Sequence, residues 1–165
     1  MLLKTLLNRV HPVKGFVYHK DRLVKDAASP HDIRIEATLR PRRGSRGICS
    51  GCGGRGATYD TQAARHYAFV PLWGIPMALV YAPRRIDCKR CESVKIEWLP
   101  WSEAASKRPM TIALMVFLAT WAHRLSWKQT GEVFGFSWES IYRAVAWVVD
   151  FGLARRDLTG IGAIG

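Results

Sequence analysis

The four cysteines of the chain form two CxxC pairs, Cys49 with Cys52 and Cys88 with Cys91. A CxxC turn can direct two thiolates at one metal ion, and two such turns complete a closed tetrahedral shell. We therefore predict a structural Zn²⁺ ion held by all four thiolates. One alternative is disulfide bonding, which we do not expect because residues 1–10 lack the pattern of a signal peptide. The other is a redox-active CxxC, for which one pair would suffice.

Basic residues surround both cysteine pairs. If the two turns converge on one ion, these charges also converge, and each Lys or Arg beside a phosphate can release a condensed counterion. An ordinary solvated surface is the alternative interpretation. The pattern favours phosphate contacts by the following residues: Arg42, Arg43, Arg46, Arg84, Arg85, Lys89 and Arg90.

Strand-like sequence flanks and separates the cysteine pairs. Residues 33–40 alternate apolar and charged side chains, which is typical of a half-buried strand. Further strands are predicted at 65–70 and 77–82, joined around Trp73-Gly74, and through 94–98, where Val94, Ile96 and Trp98 alternate with polar residues. We predict that residues 33–101 form a small antiparallel zinc ribbon with flanking strands. Residues 1–32 are an uncertain segment that begins with a short amphipathic helical pattern.

The pattern becomes helical after a boundary at about residues 101–109. Residues 109–151 divide into three helical pieces, the first of which is apolar on every side. Ser126 is a suitable N-cap for a short helix ending at Phe134, Gly135 suits a left-handed turn, and Ser137 can cap a longer helix. This order is the helix-turn-helix plan, and it predicts an α+β protein. A helical hairpin packed only for stability is the alternative.

The start of the last helix carries the side chains that a helix-turn-helix presents to the major groove. Gly131 lies where the two helices must approach each other. Glu139 in the first turn either reads a cytosine amino group or stabilises the helix end. The predicted DNA contacts of the helical region are Lys128, Trp138, Ser140, Tyr142 and Arg143.

Composition favours a polyanionic partner. The 165 residues carry a formal charge of +12, and 48% of them are hydrophobic, enough for a packed core. The longest apolar stretch, residues 110–122, is shorter than the roughly 20 residues that cross a bilayer. We expect a cytoplasmic, nucleoid-associated protein without a membrane partner. No nucleophile–base pair or open metal site is recognisable, so we expect neither an enzyme nor a small-molecule substrate.

With these parts in order, the chain resembles the N-terminal half of bacterial insertion-sequence transposases of the ISL-three type. The resemblance covers roughly residues 33–165. It rests on the two cysteine pairs, Arg65-His66, Trp73-Gly74, Tyr81-Ala82-Pro83-Arg84-Arg85 before Cys88, Leu99-Pro100-Trp101 and the segment 126–143. It implies recognition of the terminal inverted repeats of a mobile element, with a second copy or a full-length transposase as protein partner.

In that family a catalytic domain of the RNase H type, with three carboxylates and divalent metal, follows the DNA-binding part. The resemblance implies that residues 152–165 are a linker toward this domain, whose first strand would open near Ile161-Gly162. The acidic residues Asp60, Asp87, Asp150 and Asp157 are scattered, so we expect no strand transfer by this chain alone. A truncated copy and a piece of a longer protein are both compatible with this pattern.

Two other functions use the same parts. A transcription regulator would combine the ribbon and the helix-turn-helix with a dimerisation surface and a palindromic site. A basic zinc-ribbon protein bound to RNA or a ribonucleoprotein would use the helices only as scaffold and show no preference for duplex DNA.

Overall fold

A computed structural model describes residues 2–29, 31–102 and 110–156, and these contain four helices and eight strands. The α+β class is therefore confirmed. The chain divides into two compact units, Met1–Ala113 and Leu114–Gly165. The elements of the first unit are α1 (Leu3–Val10), β1 (Phe16–Lys25), β2 (Ile33–Pro41), β3 (Gly47–Ile48), β4 (Arg55–Thr61), β5 (Arg65–Leu72), β6 (Ile75–Tyr81), β7 (Arg84–Cys88) and β8 (Ser93–Ile96). The remaining helices are α2 (Ile112–Ala122), α3 (Trp127–Phe134) and α4 (Trp138–Leu153).

The larger sheet, which we call the mixed sheet, has the strand order β1-β2-β6-β5. Strands β1 and β2 are antiparallel, as are β5 and β6, but β2 and β6 pair in parallel. The prediction of purely antiparallel strands is wrong at this pair. After β2 the chain leaves this sheet to form β3 and β4, and β5 then reverses direction, so β6 returns along β2 in the same sense.

One face of the mixed sheet carries the core of the first unit. The alternation predicted for residues 33–40 places Ile35, Ala37 and Leu39 on this buried face. The aromatic ring of Trp101 lies edge-to-face against Phe16, with 4.8 Å between centroids. Leu7 of α1 belongs to the same cluster. The segment 1–32 is therefore largely part of this unit, since it supplies α1 and the edge strand β1.

The opposite face of the mixed sheet holds a buried carboxylate. Glu36 on β2 is only 1% exposed. The guanidinium groups of Arg22 and Arg34 each donate to it at 2.7 Å, and Nε2 of His66 lies 3.1 Å from Oε1. The charged face predicted for this strand is thus an ion-pair cluster around one buried acid, as a carboxylate removed from water requires.

The smaller sheet, which we call the cysteine sheet, has the order β3-β4-β7-β8 and is antiparallel throughout. The strands predicted at 65–70 and 77–82 exist, but they are β5 and β6 of the mixed sheet. The sequence between the cysteine pairs therefore contributes strands to both sheets. Strand β4 follows the first CxxC turn and strand β7 leads into the second. These two strands were not predicted.

The three helical pieces predicted between residues 109 and 151 are confirmed as α2, α3 and α4. Helix α2 buries Leu114, Met115 and Leu118, but Val116 and Trp121 are at least 40% exposed, so it is covered on one side only. The ring of Phe134 on α3 contacts Phe117 on α2 at 5.0 Å between centroids.

Parts of two predictions lie outside the described residues: most of the boundary at 101–109, and residues 157–165 of the expected linker. Within the described ranges, no helix is both long enough and apolar enough to cross a membrane.

Candidate metal centre and nucleic-acid interface

The four cysteine sulfurs lie within 4.8 Å of one another. The closest pairs join the two turns, with 3.4 Å between Cys52 and Cys88 and 3.9 Å between Cys49 and Cys91. A tetrahedral shell with Zn–S bonds of about 2.3 Å separates its sulfurs by about 3.8 Å, whereas a disulfide bond measures about 2.05 Å. The cysteines are free thiols that could bind one metal ion, and their number and spacing are consistent with zinc.

Local hydrogen bonds shape both turns. At the first pair, Cys49 N–H donates to the carbonyl of Gly54, and the N–H of Gly53 donates back to the carbonyl of Cys49 at 2.9 Å. Gly53 adopts a positive φ of 69°, which glycine tolerates without strain. At the second pair the N–H of Cys91 donates to the carbonyl of Cys88 at 3.2 Å. Each turn thereby directs its two sulfurs to the same point.

The turn at Cys49 also favours thiolate. Backbone N–H groups of Gly51 and Cys52 donate to the Cys49 sulfur and lower the pKa of its thiol to about 6. Hydrogen bonds with the sulfurs of Cys52 and Cys88 raise the pKa of Cys91 to about 12. Metal binding requires deprotonated thiolates, so an ion bound here would displace the protons of the cysteine thiols.

A buried ion-pair network ties this centre to the mixed sheet. Glu97 forms a bridge with Cys49 and is 2% exposed. Its carboxylate accepts hydrogen bonds from Tyr81 Oη at 2.5 Å and from Arg84 Nη2 at 2.7 Å. The sequence prediction missed Glu97, because the alternation placed Ile96 and Trp98 inward. Instead Trp98 is 45% exposed and the acid is buried.

Arg84 requires a correction as a phosphate contact. Its side chain is 14% exposed, two of its nitrogens donate to Glu97, and Nη1 donates to the carbonyl of Ser45. Its charge serves the buried network, so it is a structural cation. The neighbouring Arg85 is 41% exposed and pairs with Asp60 at the surface.

The other predicted cations of the first unit are at the surface. Arg42, Arg43, Arg46 and Arg90 are exposed. Lys89 is 91% exposed and lies 2.8 Å from Asp87.

Two basic residues near the cysteines were missed by sequence reasoning. Arg55 is exposed at the start of β4. Lys95 extends over the first CxxC turn, since a Cβ built on Gly51 would lie 2.9 Å from its Nζ. A divalent ion with four thiolates carries a net negative charge, which an ammonium group beside it would offset.

The caps predicted for the helical unit are largely confirmed. The Ser126 hydroxyl accepts from Gln129 N–H at 3.2 Å, and the Gln129 side chain accepts from Ser126 N–H at 3.0 Å. Gly135 ends α3 with a φ of 72°. Ser137 occupies the N-cap of α4, but its hydroxyl contacts that of Ser140 instead of a backbone amide.

Gly131 lies at the closest approach between α3 and the start of α4. Its carbonyl accepts from Phe136 N–H at 2.9 Å, and a Cβ at this position would be 2.4 Å from the carbonyl oxygen of Phe136. Any side chain here would collide with backbone, so glycine permits the tight turn.

Four of the five predicted contacts of the helical unit are exposed. Trp138 and Tyr142 are 58% and 50% exposed, and Arg143 and Lys128 also face outward. Ser140 requires a correction. It is 6% exposed because it shares the inner face of α4 with Ile141 and Ala144.

Trp127 is exposed beside this surface and was not predicted as a contact. Its ring lies 5.4 Å from that of Tyr142, measured between centroids.

The exposed candidate contacts thus occur in both compact units, and the four cysteines are brought together in the first. No family model, curated protein or solved structure matches the chain.

Proposed function

We propose that this chain binds duplex DNA sequence-specifically, as the DNA-recognising part of a transposase similar to the ISL-three type. In this proposal the cysteine sheet is a zinc ribbon with one structural Zn²⁺ ion, and α3 and α4 act as a helix-turn-helix. The target is the terminal inverted repeat of a mobile element. We assign the chain DNA recognition and no catalytic step.

The observation that carries the proposal is the close junction of α3 and α4 at Gly131. The capping box at Ser126 and the left-handed Gly135 fix the ends of α3, and the backbone contact with Phe136 fixes the start of α4. A recognition helix needs such a rigid support because its first turns must enter the major groove with defined side chains outward. Trp138, Tyr142 and Arg143 are the outward side chains of those turns.

The cysteine sheet supports the proposal through its charge and its need for a metal. Its strands are short, with two residues in β3 and four in β8. A sheet of this size buries little apolar surface, so metal binding would contribute much of its stability. The exposed cations Arg42, Arg43, Arg46 and Arg90 would contact phosphates, which adds affinity without sequence preference.

A homodimeric transcription regulator is the second candidate. Exposed apolar side chains near the end of α4, namely Val149, Phe151 and Leu153, favour it because such residues can form a dimer contact. This candidate predicts a palindromic site, whereas the inverted repeat of an element presents one asymmetric copy at each end.

The experiment is a selection from a random-sequence duplex library with the zinc-loaded full chain, over a series of salt concentrations. We expect enrichment of one asymmetric motif and loss of binding on chelation. Arg143→Ala should lower specific affinity by about 1–3 kcal/mol with a small effect on random duplex, because base contacts carry specificity. Arg156→Ala, which changes an exposed arginine beyond α4, is the matched control.

The outcomes separate the candidates. A palindromic motif bound by two copies would favour the regulator. Equal binding to all duplexes, or preference for RNA, would overturn the proposal and favour the basic ribonucleoprotein-binding function. Equal losses on specific and random duplex for Arg143→Ala would contradict the assignment of α4 as the recognition helix.

A further inference from the structure

A small cleft lies in the first unit, between the start of β1 and the cysteine sheet, and we call it the basic cleft. Its lining includes Lys14, Ser45, Arg46, Glu97 and Trp98. Its volume is about 30 Å³, which is room for roughly two water-sized atoms. The cleft therefore suits a small polar group at the edge of a larger partner.

Hydrogen bonds fix the loop of residues 42–46 that forms one wall of the basic cleft. The N–H of Arg42 donates to the carbonyl of Gly15 at 2.9 Å, and the N–H of Ser45 donates to the carbonyl of Arg42 at 2.9 Å. Nη1 of Arg84 donates to the carbonyl of Ser45 at 3.1 Å. These contacts attach the loop beside β1 and to β7, so this wall is in place before any ligand binds.

The basic cleft contains a hydroxyl group whose hydrogen-bonding capacity is unused. Oγ of Ser45 is buried, and it has no hydrogen-bond partner among the residues that the structure describes. Buried polar atoms in proteins nearly always have a partner, since burial removes the water that would otherwise serve. Ser45 can therefore donate its proton to a ligand atom that enters the cleft.

Two unpaired cations give the basic cleft a positive charge. Lys14 and Arg46 are both exposed, and within the described parts of the chain neither forms an ion pair. The surrounding sequence cannot supply a carboxylate, because residues 1–20 and 37–59 contain no Asp or Glu. An anion is the partner that this charge favours.

The acid in the lining does not cancel this charge. Glu97 is 2% exposed, and both of its carboxylate oxygens already accept hydrogen bonds. Tyr81 Oη and the N–H of Arg84 donate to Oε1, and the Arg84 guanidinium donates to Oε2. Its charge is thus offset by Arg84, and the charges of Lys14 and Arg46 remain available.

The basic surplus of the chain also lies in the unit that contains the cleft. Residues 114–165 carry five basic and four acidic residues, so nearly the whole formal charge of +12 belongs to residues 1–113. A phosphodiester carries one negative charge and presents two unbridged oxygens, which match the room in the cleft. Lys, Arg and Ser side chains are the usual donors to such oxygens in complexes with DNA.

We infer that the basic cleft binds one phosphate group of the duplex backbone. Lys14 and Arg46 supply the charge, and the Ser45 hydroxyl donates a hydrogen bond. The inference rests on the proposed DNA binding for the source of the phosphate. It adds one defined contact that positions the first unit on the duplex, and through Lys14 it gives the segment 1–32 a part in binding.

Ser45→Ala tests the hydroxyl alone, in the full zinc-loaded chain. We expect about a tenfold loss of affinity for selected and random duplexes alike, as for a lost hydrogen bond to a charged group. The urea midpoint should not fall, because the hydroxyl has no partner to lose in the free protein. Thr58→Ala, which removes an exposed hydroxyl from β4, is the matched control.

Lys14→Ala and Arg46→Ala test whether the two cations share one phosphate. Each variant should lower the slope of log affinity against log salt concentration by about one, the effect of one lost phosphate contact. The double variant should also lower the slope by about one, because the same contact is lost. Lys25→Ala removes an exposed cation from the other end of β1 and should leave the slope unchanged.

Three results would overturn the inference. The first is unchanged DNA affinity of Ser45→Ala. The second is a slope lowered by about two in the double variant, which would mean that the two cations act independently. The third is binding of inorganic phosphate, followed by phosphorus NMR, by a chain whose Lys14, Ser45 and Arg46 variants bind duplex normally, since the cleft would then hold a free anion.

The failures of the two proposals are distinguishable. A library that yields no motif would overturn the proposed function, and the inference would stand if Ser45→Ala still weakened binding to all duplexes. A clear motif bound equally by the unchanged chain and the cleft variants would overturn the inference alone. Absence of binding to any duplex would overturn both.

Discussion

The hydroxyl of Tyr81 donates a hydrogen bond to Oε1 of Glu97 at 2.5 Å, and this contact joins the mixed sheet to the cysteine sheet. Tyr81 ends β6 and is 3% exposed, while Glu97 follows β8 and bridges Cys49. Burial and the neighbouring carboxylate raise the pKa of Tyr81 far above its usual range, so the hydroxyl remains a donor. The position of one metal ligand is thus linked to the core of the larger sheet.

Tyr81→Phe should lower the free energy of unfolding by about 1–3 kcal/mol. It removes the donor and leaves the buried Glu97 carboxylate with one partner fewer. Urea unfolding of the zinc-loaded chain measures the change. Tyr59→Phe is the matched control, because Tyr59 is 64% exposed and its change should stay within about 0.5 kcal/mol. Equal losses for both variants would contradict a special role for the Tyr81 contact.

Arg84→Ala should lower mainly the stability of the protein, whereas Arg85→Ala should lower mainly its DNA affinity, although the two residues are adjacent. Loss of Arg84 leaves Glu97 as a buried and poorly compensated charge, and we expect about 3–5 kcal/mol lower stability. Loss of Arg85 removes a half-exposed cation, so we expect near-normal stability and weaker binding to all duplexes. Thermal unfolding and DNA titration of both variants give the comparison. Weaker DNA binding by a fully stable Arg84→Ala protein would restore the phosphate-contact interpretation for Arg84.

Gly131→Ala should destabilise the helical unit by about 1–3 kcal/mol, because the added Cβ would meet the Phe136 carbonyl oxygen at 2.4 Å. Gly152→Ala on α4 is the control, since nothing lies within 4 Å of a Cβ there. That change should raise stability by about 0.5–1 kcal/mol through helix propensity. Loss of helical circular dichroism on heating distinguishes the two. A Gly131→Ala protein as stable as the unchanged chain would mean that the close approach is absent.

The Glu36 cluster should make the mixed sheet sensitive to acid. Desolvation raises the pKa of Glu36, but hydrogen bonds from Arg34 and Arg22 outweigh it, and the net pKa lies below its ordinary value of 4.5. A carboxyl whose pKa is lower in the folded state stabilises the protein above its unfolded pKa. This stability is lost as the pH falls through the folded value.

The measurement is the urea midpoint at neutral pH and at a series of values below about 4.5. The Glu36→Gln variant should have a lower urea midpoint than the unchanged chain at neutral pH. Its midpoint should also fall less as the pH is lowered. Glu132→Gln changes an exposed acid on α3 and serves as control. An acid profile of Glu36→Gln parallel to that of the unchanged chain would refute the role of this cluster.

Local signals in the sequence predicted the parts of the structure that are determined locally. The CxxC spacing indicated the four-sulfur cluster, and Ser126 and Gly135 marked the ends of α3. Each depends on backbone contacts within a few residues, so a short segment contains the whole signal. The same holds for the alternation of residues 33–40, which placed Leu39 in the core.

The pairing of strands that are distant in the chain was harder to predict from the sequence. Nothing in the sequence of β5 and β6 states that β6 pairs with β2 instead of with a strand of the cysteine sheet, since partner choice depends on the whole fold. Arg84 and Arg85 look equivalent in the sequence, yet only Arg84 faces the buried Glu97. Ser140 was misplaced for a related reason, because a small polar residue gives little indication of which helix face it occupies.

The cysteine turns enclose the β5–β6 hairpin between them, since Cys52 and Cys88 are 36 positions apart in the chain. A bound ion would therefore close a covalent-like ring that contains the exposed Trp73-Gly74 tip. By the chain-entropy relation for cross-links, a ring of this length restricts an unfolded chain by about 4 kcal/mol. A chain nicked at that tip would keep its two pieces joined through the metal as well as through the pairing of β6 with β2 and β5.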